Sequence, residues 1–174
     1  MRSRKNKKNK NIILQIIFLS SLSIFVLFIL IVGFSIHQEA QLPENLPEVI
    51  VEEGIPKFDL SHIEFFLKGL KLYKLHGNLF DLEPAKVKVV VAGSNQIFYV
   101  TITSNLFKVS DVELFDDPDL IIYLEGDTLL KVIKSIDNYA LIEKLIDQGD
   151  IRLNYNSNKF TLFMKGFYAT YLRP

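Results

Sequence analysis

The sequence predicts an α+β fold: an antiparallel-rich five-stranded sheet covered by helices, preceded by a single transmembrane helix. Three observations carry that expectation. Residues 12–36 form an uncharged run in which 19 of 25 residues are Ile, Leu, Val or Phe. Residues 86–103 hold two runs that alternate apolar and polar side chains about a short turn, the mark of a β-hairpin. Residues 37–174 still contain 17 aromatic rings, enough for a core of their own.

The chain has 174 residues, with 20 basic and 20 acidic side chains. The balance is uneven. Arg2, Arg4, Lys5, Lys7, Lys8 and Lys10 lie in the first 11 residues, which contain no acid, so the remainder carries a net charge of −6. A folded part that acidic lacks the basic surface that nucleic acid requires, and no nucleic-acid partner is expected. The absence of cysteine excludes disulfides, thiolate nucleophiles and Cys-ligated zinc or iron–sulfur clusters. The three histidines, His37, His62 and His76, are too scattered for a multi-histidine metal site, so neither metal nor cofactor is expected.

A helix over 12–36 would span about 37 Å, against roughly 30 Å of hydrocarbon. The run exceeds the apolar region of a signal peptide, about 7–15 residues, and His37 makes a poor cleavage site beside Ala40, so an uncleaved anchor is expected. With six cations before the span and the first lysine after it at Lys57, the positive-inside rule leaves residues 1–11 as a basic cytoplasmic arm. The C-terminal domain is then outside a cell membrane crossed once, with the lipid bilayer as a partner through 12–36. Residues 37–57 read as a stalk, broken by Pro43, Pro47 and Pro56 and kept solvated by Glu39, Glu44, Glu48, Glu52 and Glu53.

Residues 58–174 make the domain. Ser61-His62-Ile63-Glu64 fits a capping box, and Ile63, Phe66, Leu67 and Leu70 follow at helical spacing, predicting a helix over about 61–75 that Gly77 stops. Lys86–Ala92 alternates with Val87, Val89 and Val91 on one face, and Gln96–Thr103 with Phe98, Val100 and Ile102. A third strand over 106–115 breaks register near Ser110-Asp111. Asp119–Glu125 is apolar on both faces and suits a buried strand. Asp127 then caps a helix through Leu129, Leu130, Val132 and Ile133, and a second helix runs from about 138 to 148. Asp150–Tyr155 is a short strand. Phe160, Phe163, Met164, Phe167, Tyr168, Tyr171 and Leu172 keep helical spacing and predict a closing helix over 159–172, capped by Asn158.

This order resembles the sterol carrier protein family of lipid-binding domains over residues 61–172. Three passages carry the resemblance: Asp117-Pro118-Asp119 leading through an apolar strand to Gly126-Asp127; Leu141 through Gly149-Asp150-Ile151-Arg152-Leu153; and the closing amphipathic helix. Where the family has a glycine before its last helix, this chain has Asn156-Ser157-Asn158. The resemblance implies an apolar tunnel between sheet and helices and no catalysis by the domain.

Other constellations have plainer readings. Ser61 beside His62 suggests a nucleophile pair, but neighbours on a helix point apart, and a helix cap explains them better. Asp111, Glu113, Asp116, Asp117 and Asp119 lack EF-hand spacing and read as a solvated loop. No phosphate-binding glycine motif and no nucleophile elbow occurs, so no catalytic residue is assigned and the chain is not expected to be an enzyme. The expected function is a membrane-anchored extracytoplasmic domain that binds an apolar ligand such as a lipid. The implied tunnel residues are Phe66, Leu70, Val100, Ile102, Ile122, Leu129, Ile133, Phe163 and Phe167. The alternative is a non-catalytic interaction or scaffold domain of the same fold with a filled core.

Overall fold

The computed structural model of the chain describes residues 18–23, 48–78, 82–104, 106–135 and 138–170. Two compact units divide it, Met1–Gln38 and Glu39–Pro174. In the first, residues 18–23 are helical, with Phe18 and Leu19 exposed.

The transmembrane helix expected over 12–36 is corrected by this structure. Residues 12–17 and 24–36 lie outside the described residues, and residues 18–23 are helical. Among the described residues no helix is long and apolar enough to cross a membrane. The single-pass membrane localisation, the bilayer contact through 12–36 and the placement of the domain outside fall with it. The arm 1–11 and residues 37–47 of the stalk also lie outside the described residues.

In the second unit, β1 (Ile50–Glu52) and β2 (Ile55–Lys57) pair as an antiparallel hairpin. Residues 50–57, read as the end of a stalk, are thus ordered, and Pro56 and Phe58 are buried. Then follow α1 (Leu60–Gly69), a 3-10 turn (Leu72–Lys74), β3 (Ala85–Ala92), β4 (Gln96–Ile102), β5 (Phe107–Ser110), β6 (Leu120–Glu125), α2 (Gly126–Lys134), α3 (Asn138–Asp147), β7 (Ile151–Tyr155), α4 (Lys159–Met164) and a last 3-10 turn (Phe167–Ala169).

The five longer-range strands form one sheet in the order β5-β4-β3-β6-β7. Three of its four pairings are antiparallel, and β3 and β6 run parallel. Alternation sets the register. Val87 lies between Val100 and Leu120, and Val89 between Phe98 and Ile122. These side chains share one face, and α1, α2 and α3 bury Ile63, Phe66, Leu67, Leu129, Val132 and Ile142 in the same cluster. On the opposite face, β5 returns to β6 through residues 111–118. The Phe115 ring packs edge-on against Tyr99 at 5.4 Å, and the Tyr99 hydroxyl donates to Glu113 at 3.3 Å.

Helix ends depart most from expectation. The cap of α1 is Asp59 rather than Ser61, and α2 starts one residue before Asp127, at Gly126. Asn158 does cap the last helix, its Oδ1 accepting from the Thr161 backbone N–H at 2.9 Å. That helix ends at Met164 instead of running to 172. Gly166 sits at φ +84°, a left-handed conformation that ends a helix, and the chain turns to place Phe167 in the core. Residues 171–174 lie outside the described residues.

Gly149 and Gly166 both adopt positive φ, but an added Cβ would meet open space at Gly149 and the His76 Nε2 atom 3.0 Å away at Gly166. Substituting alanine should cost about 1 kcal/mol at Gly149 from backbone strain and about 2 kcal/mol at Gly166, where crowding adds to it. Urea denaturation of the two variants measures the difference; equal losses would remove the steric part of the argument.

Candidate functional site

The structure brings most of the expected tunnel residues together, as neighbours in one packed core. Phe66, Leu70, Val100, Ile122, Leu129 and Phe167 have no solvent exposure, and Ile102 has 1%. Ile133 lies at the margin of this cluster, partly buried. Phe163 lies outside it. Its ring is 61% exposed and meets the Tyr168 ring edge-on at 6.1 Å. The reason is local: seven aromatic and aliphatic positions kept helical period, but α4 ends after six residues, so Leu162, Met164 and Phe167 turn inward and Phe160, Phe163 and Tyr168 outward.

A second site escaped the sequence. A cleft of about 450 Å³ opens among the starts of β3 and β6 and the segment after β7, and Glu83, Lys86, Asp117, Asp119, Asn156 and Ser157 are among its lining residues. Behind it is a buried ion pair. Lys165 Nζ lies 3.0 and 2.9 Å from the two carboxylate oxygens of Asp119, and the two residues are 1% and 3% exposed. Asp119 Oδ1 also accepts from the Ser157 hydroxyl at 2.6 Å, and Oδ2 from the Lys86 backbone N–H at 2.8 Å. The Asp119 backbone N–H donates to the Lys86 carbonyl, and its carbonyl accepts from the Asn156 backbone N–H. One aspartate therefore joins β3, β6, the exit from β7 and the residue that follows α4.

The outer shell of the cleft is also paired. Lys86 Nζ reaches Glu83 at 2.7 Å and Asp117 at 3.0 Å, and Lys165 Nζ lies 3.5 Å from Glu83. The Lys86 hydrogen bond, and after it the charge of Lys165, holds the Glu83 carboxyl below its ordinary range. The same lysine lowers Asp117 through its hydrogen bond. Lys86 is itself raised, chiefly by its bond to Glu83. The shifts share one cause, since each charged form is bonded to a partner of opposite sign.

This arrangement is a junction between segments distant in the chain. Ser157 donates to a carboxylate already engaged by a lysine, with no imidazole between them to take its proton onward. Of the histidines, His62 belongs to the cap of α1, His76 Nδ1 lies 2.8 Å from the Gly77 carbonyl, and His37 is outside the described residues. Among the described residues no group of three or more His, Cys, Asp or Glu gathers that could hold a metal. One signal of the junction was present in the sequence: Lys165 interrupts the apolar run from Leu162 to Phe167, and Asp119 opens an otherwise apolar strand. Neither has meaning until the fold brings position 165 to position 119.

Among the described residues, one buried polar side-chain atom lacks a partner. The Tyr155 hydroxyl, on the helix-covered face of β7, is buried without a hydrogen-bond partner, and burial pushes its pKa up to about 12.

No family model matches the chain, and no curated protein does. Among solved structures, the chain is similar to a UbiJ-SCP2 ubiquinone synthesis protein, with 16% identity and a TM-score of 0.35, over 59% of this chain and 73% of that one. It is also similar to the stereoselective inverting sec-alkylsulfatase Pisa1 from Pseudomonas sp., with 14% identity and a TM-score of 0.32, and to a double mutant of that enzyme, with 18% and 0.37. This chain spans 14% and 19% of the lengths of those two sulfatase chains.

Two predictions follow from the junction. Lys165→Met leaves the Asp119 carboxylate buried without its cation and should cost about 3–5 kcal/mol of stability. Adding Asp119→Asn should recover part of that loss, because the charge disappears while an acceptor for the Lys86 N–H remains; chemical denaturation of both variants tests it, and a double variant less stable than Lys165→Met would refute it. The second prediction concerns pH. Glu83 and Asp117 are lowered in the fold, so their contribution is present above the ordinary carboxylate values of 4.5 and 3.8 and is lost as pH falls through them. Lys86 is raised, so its contribution is present below 10.5 and is lost as pH rises beyond it. The effect is small because both acids face solvent. The melting temperature of Lys86→Met, followed from about pH 6 to 3, should fall less steeply than that of the unaltered chain.

Proposed function

We propose that residues 39–174 form a non-catalytic binding domain that works through its surface and has a filled interior. One observation supports this reading above the others: the side chains of Phe66, Leu70, Val100, Ile122, Leu129 and Phe167, between sheet and helices, have no solvent exposure. A lipid chain lodged there would need several of these groups to move, and a packed interior resists that. The satisfied charges of the Asp119 junction agree with a non-catalytic role. The exposed rings of Phe160, Phe163 and Tyr168 give the domain apolar surface of the kind used in association.

A second reading is favoured by a different observation. An apolar ligand with a polar head, such as a fatty acid, fits the margin where Leu130, Ile133, Leu141, Leu153 and Tyr155 are only partly buried and the Tyr155 hydroxyl has no partner. This is the lipid-binding function that the resemblance in sequence implies.

Titration with a fluorescent fatty-acyl probe, together with native mass spectrometry of the purified protein, separates the two. The filled domain should retain no lipid and bind no probe stoichiometrically. Saturable one-to-one binding that Tyr155→Phe weakens would overturn it in favour of the second reading.

A further inference from the structure

We propose that β7 is a docking edge for a second copy of this chain: the two β7 strands pair antiparallel about a two-fold axis at Leu153 and join the two sheets into one. Among the described residues, β7 has a strand on one side only, β6, and no turn, cap or loop hydrogen bond engages the backbone of residues 151–155. A row of unpaired N–H and C=O groups along a sheet edge is a template for another strand unless something blunts it. The opposite edge is blunted. There β5 has four residues and carries exposed Lys108, and the chain bends away after Ser110, whose hydroxyl accepts from the Val112 N–H at 3.0 Å. The edge strand β7 has five residues, no proline and no break in its alternation.

The pattern of β7 selects its partner. In a pairing centred on Leu153, Ile151 faces Tyr155 of the second copy, Arg152 faces Asn154, and Leu153 faces its own counterpart. Cross-strand partners project from the same face, so apolar meets apolar on the helix-covered side and polar meets polar on the other. A β-branched residue beside an aromatic ring is a favourable pair, and no like charges oppose. Centring on Arg152 instead sets two arginines against each other. A slip of one residue puts Leu153 opposite Arg152 and turns the helices of the second copy to the wrong face. The centre at Leu153 also engages all five residues. There is apolar surface to cover beside it: Leu153, Tyr155 and, on α3, which packs on β7, Leu141 and Ile146 are only partly buried. The axis stands perpendicular to the sheet, so both helical layers lie on one face. The pairing requires nothing of the interior, filled or open.

Five residue pairs and a narrow apolar margin make a small interface, so the dimer should be weak, with a Kd on the order of 100 µM. Sedimentation equilibrium of the full chain, from about 10 µM to about 1 mM, should pass from mostly monomer to mostly dimer. Two variants of the exposed residue Asn154 locate the contact, because Asn154 faces Arg152 twice in the symmetric pair. Asn154→Asp sets a carboxylate opposite each arginine and should lower the Kd about fivefold, whereas Asn154→Arg opposes like charges twice and should raise it about tenfold. No dimer at the highest concentration, a Kd that neither variant moves, or movement in the opposite sense would overturn the proposal. If Asn154→Arg does not fold, Asn154→Asp decides together with hydrogen exchange in the unaltered chain. Amides of residues 151–155 should exchange about fourfold more slowly at the highest concentration than at the lowest, and protection independent of concentration would overturn the proposal.

Discussion

The buried pair between Lys165 and Asp119 is the interaction on which the rest of the second unit depends. Removing a carboxylate and an ammonium from water costs several kcal/mol per ion, and their attraction offsets this only when the remaining hydrogen-bonding capacity is also satisfied. Asp119 meets that condition with Ser157 and the Lys86 N–H. Because the pair must form, the chain after α4 has to stay beside the start of β6. Gly166 permits this by adopting a conformation that other residues avoid. Phe167 then drops into the core, and Phe163 is left on the surface.

A second constraint is the one-sided sheet. Strict alternation in β3, β4 and β6 gives one apolar face, and three helices cover it. The other face is crossed by residues 111–118, whose Phe115 and Glu113 together shield Tyr99. With helices confined to one side, any interior ligand would have to compete with the helical side chains for the same space. The buried side chains Phe66, Leu129 and Val132 stand in that space. The charges of the polar cleft neutralise one another: Lys86 pairs with Glu83 and Asp117, and Lys165 with Asp119.

The two ends of the helical layer are held differently. At the Asp119 junction, charges of opposite sign join segments far apart in the chain, the partners being 46 positions apart. At the start of α1 an imidazole three residues from its partner accepts the Asp59 N–H. Charge pairing of the first kind is sensitive to truncation of either partner, whereas a cap of the second kind needs only one local acceptor.

Some of this was determined by sequence alone. The hairpin β3–β4, the apolar strand β6, the helices α2 and α3 and the strand β7 all follow from period and turn residues, because alternation or helical spacing forces one face inward whatever the neighbours are. Val100, Ile102, Ile122 and Leu129 lie in one core for that reason, whereas Phe167 reaches it only because the chain turns at Gly166. Tertiary structure alone decided the rest. Whether the core was open or closed depended on how side chains from four elements interlock, which no local pattern records. The C-terminal segment keeps a helical period that α4 follows only to Met164, and Lys165 after it pairs with Asp119, 46 positions earlier in the chain. The cap of α1 passed from Ser61 to Asp59, because His62 could reach back to the Asp59 N–H. Long-range partners decide such details, and in a sequence those partners are simply distant letters.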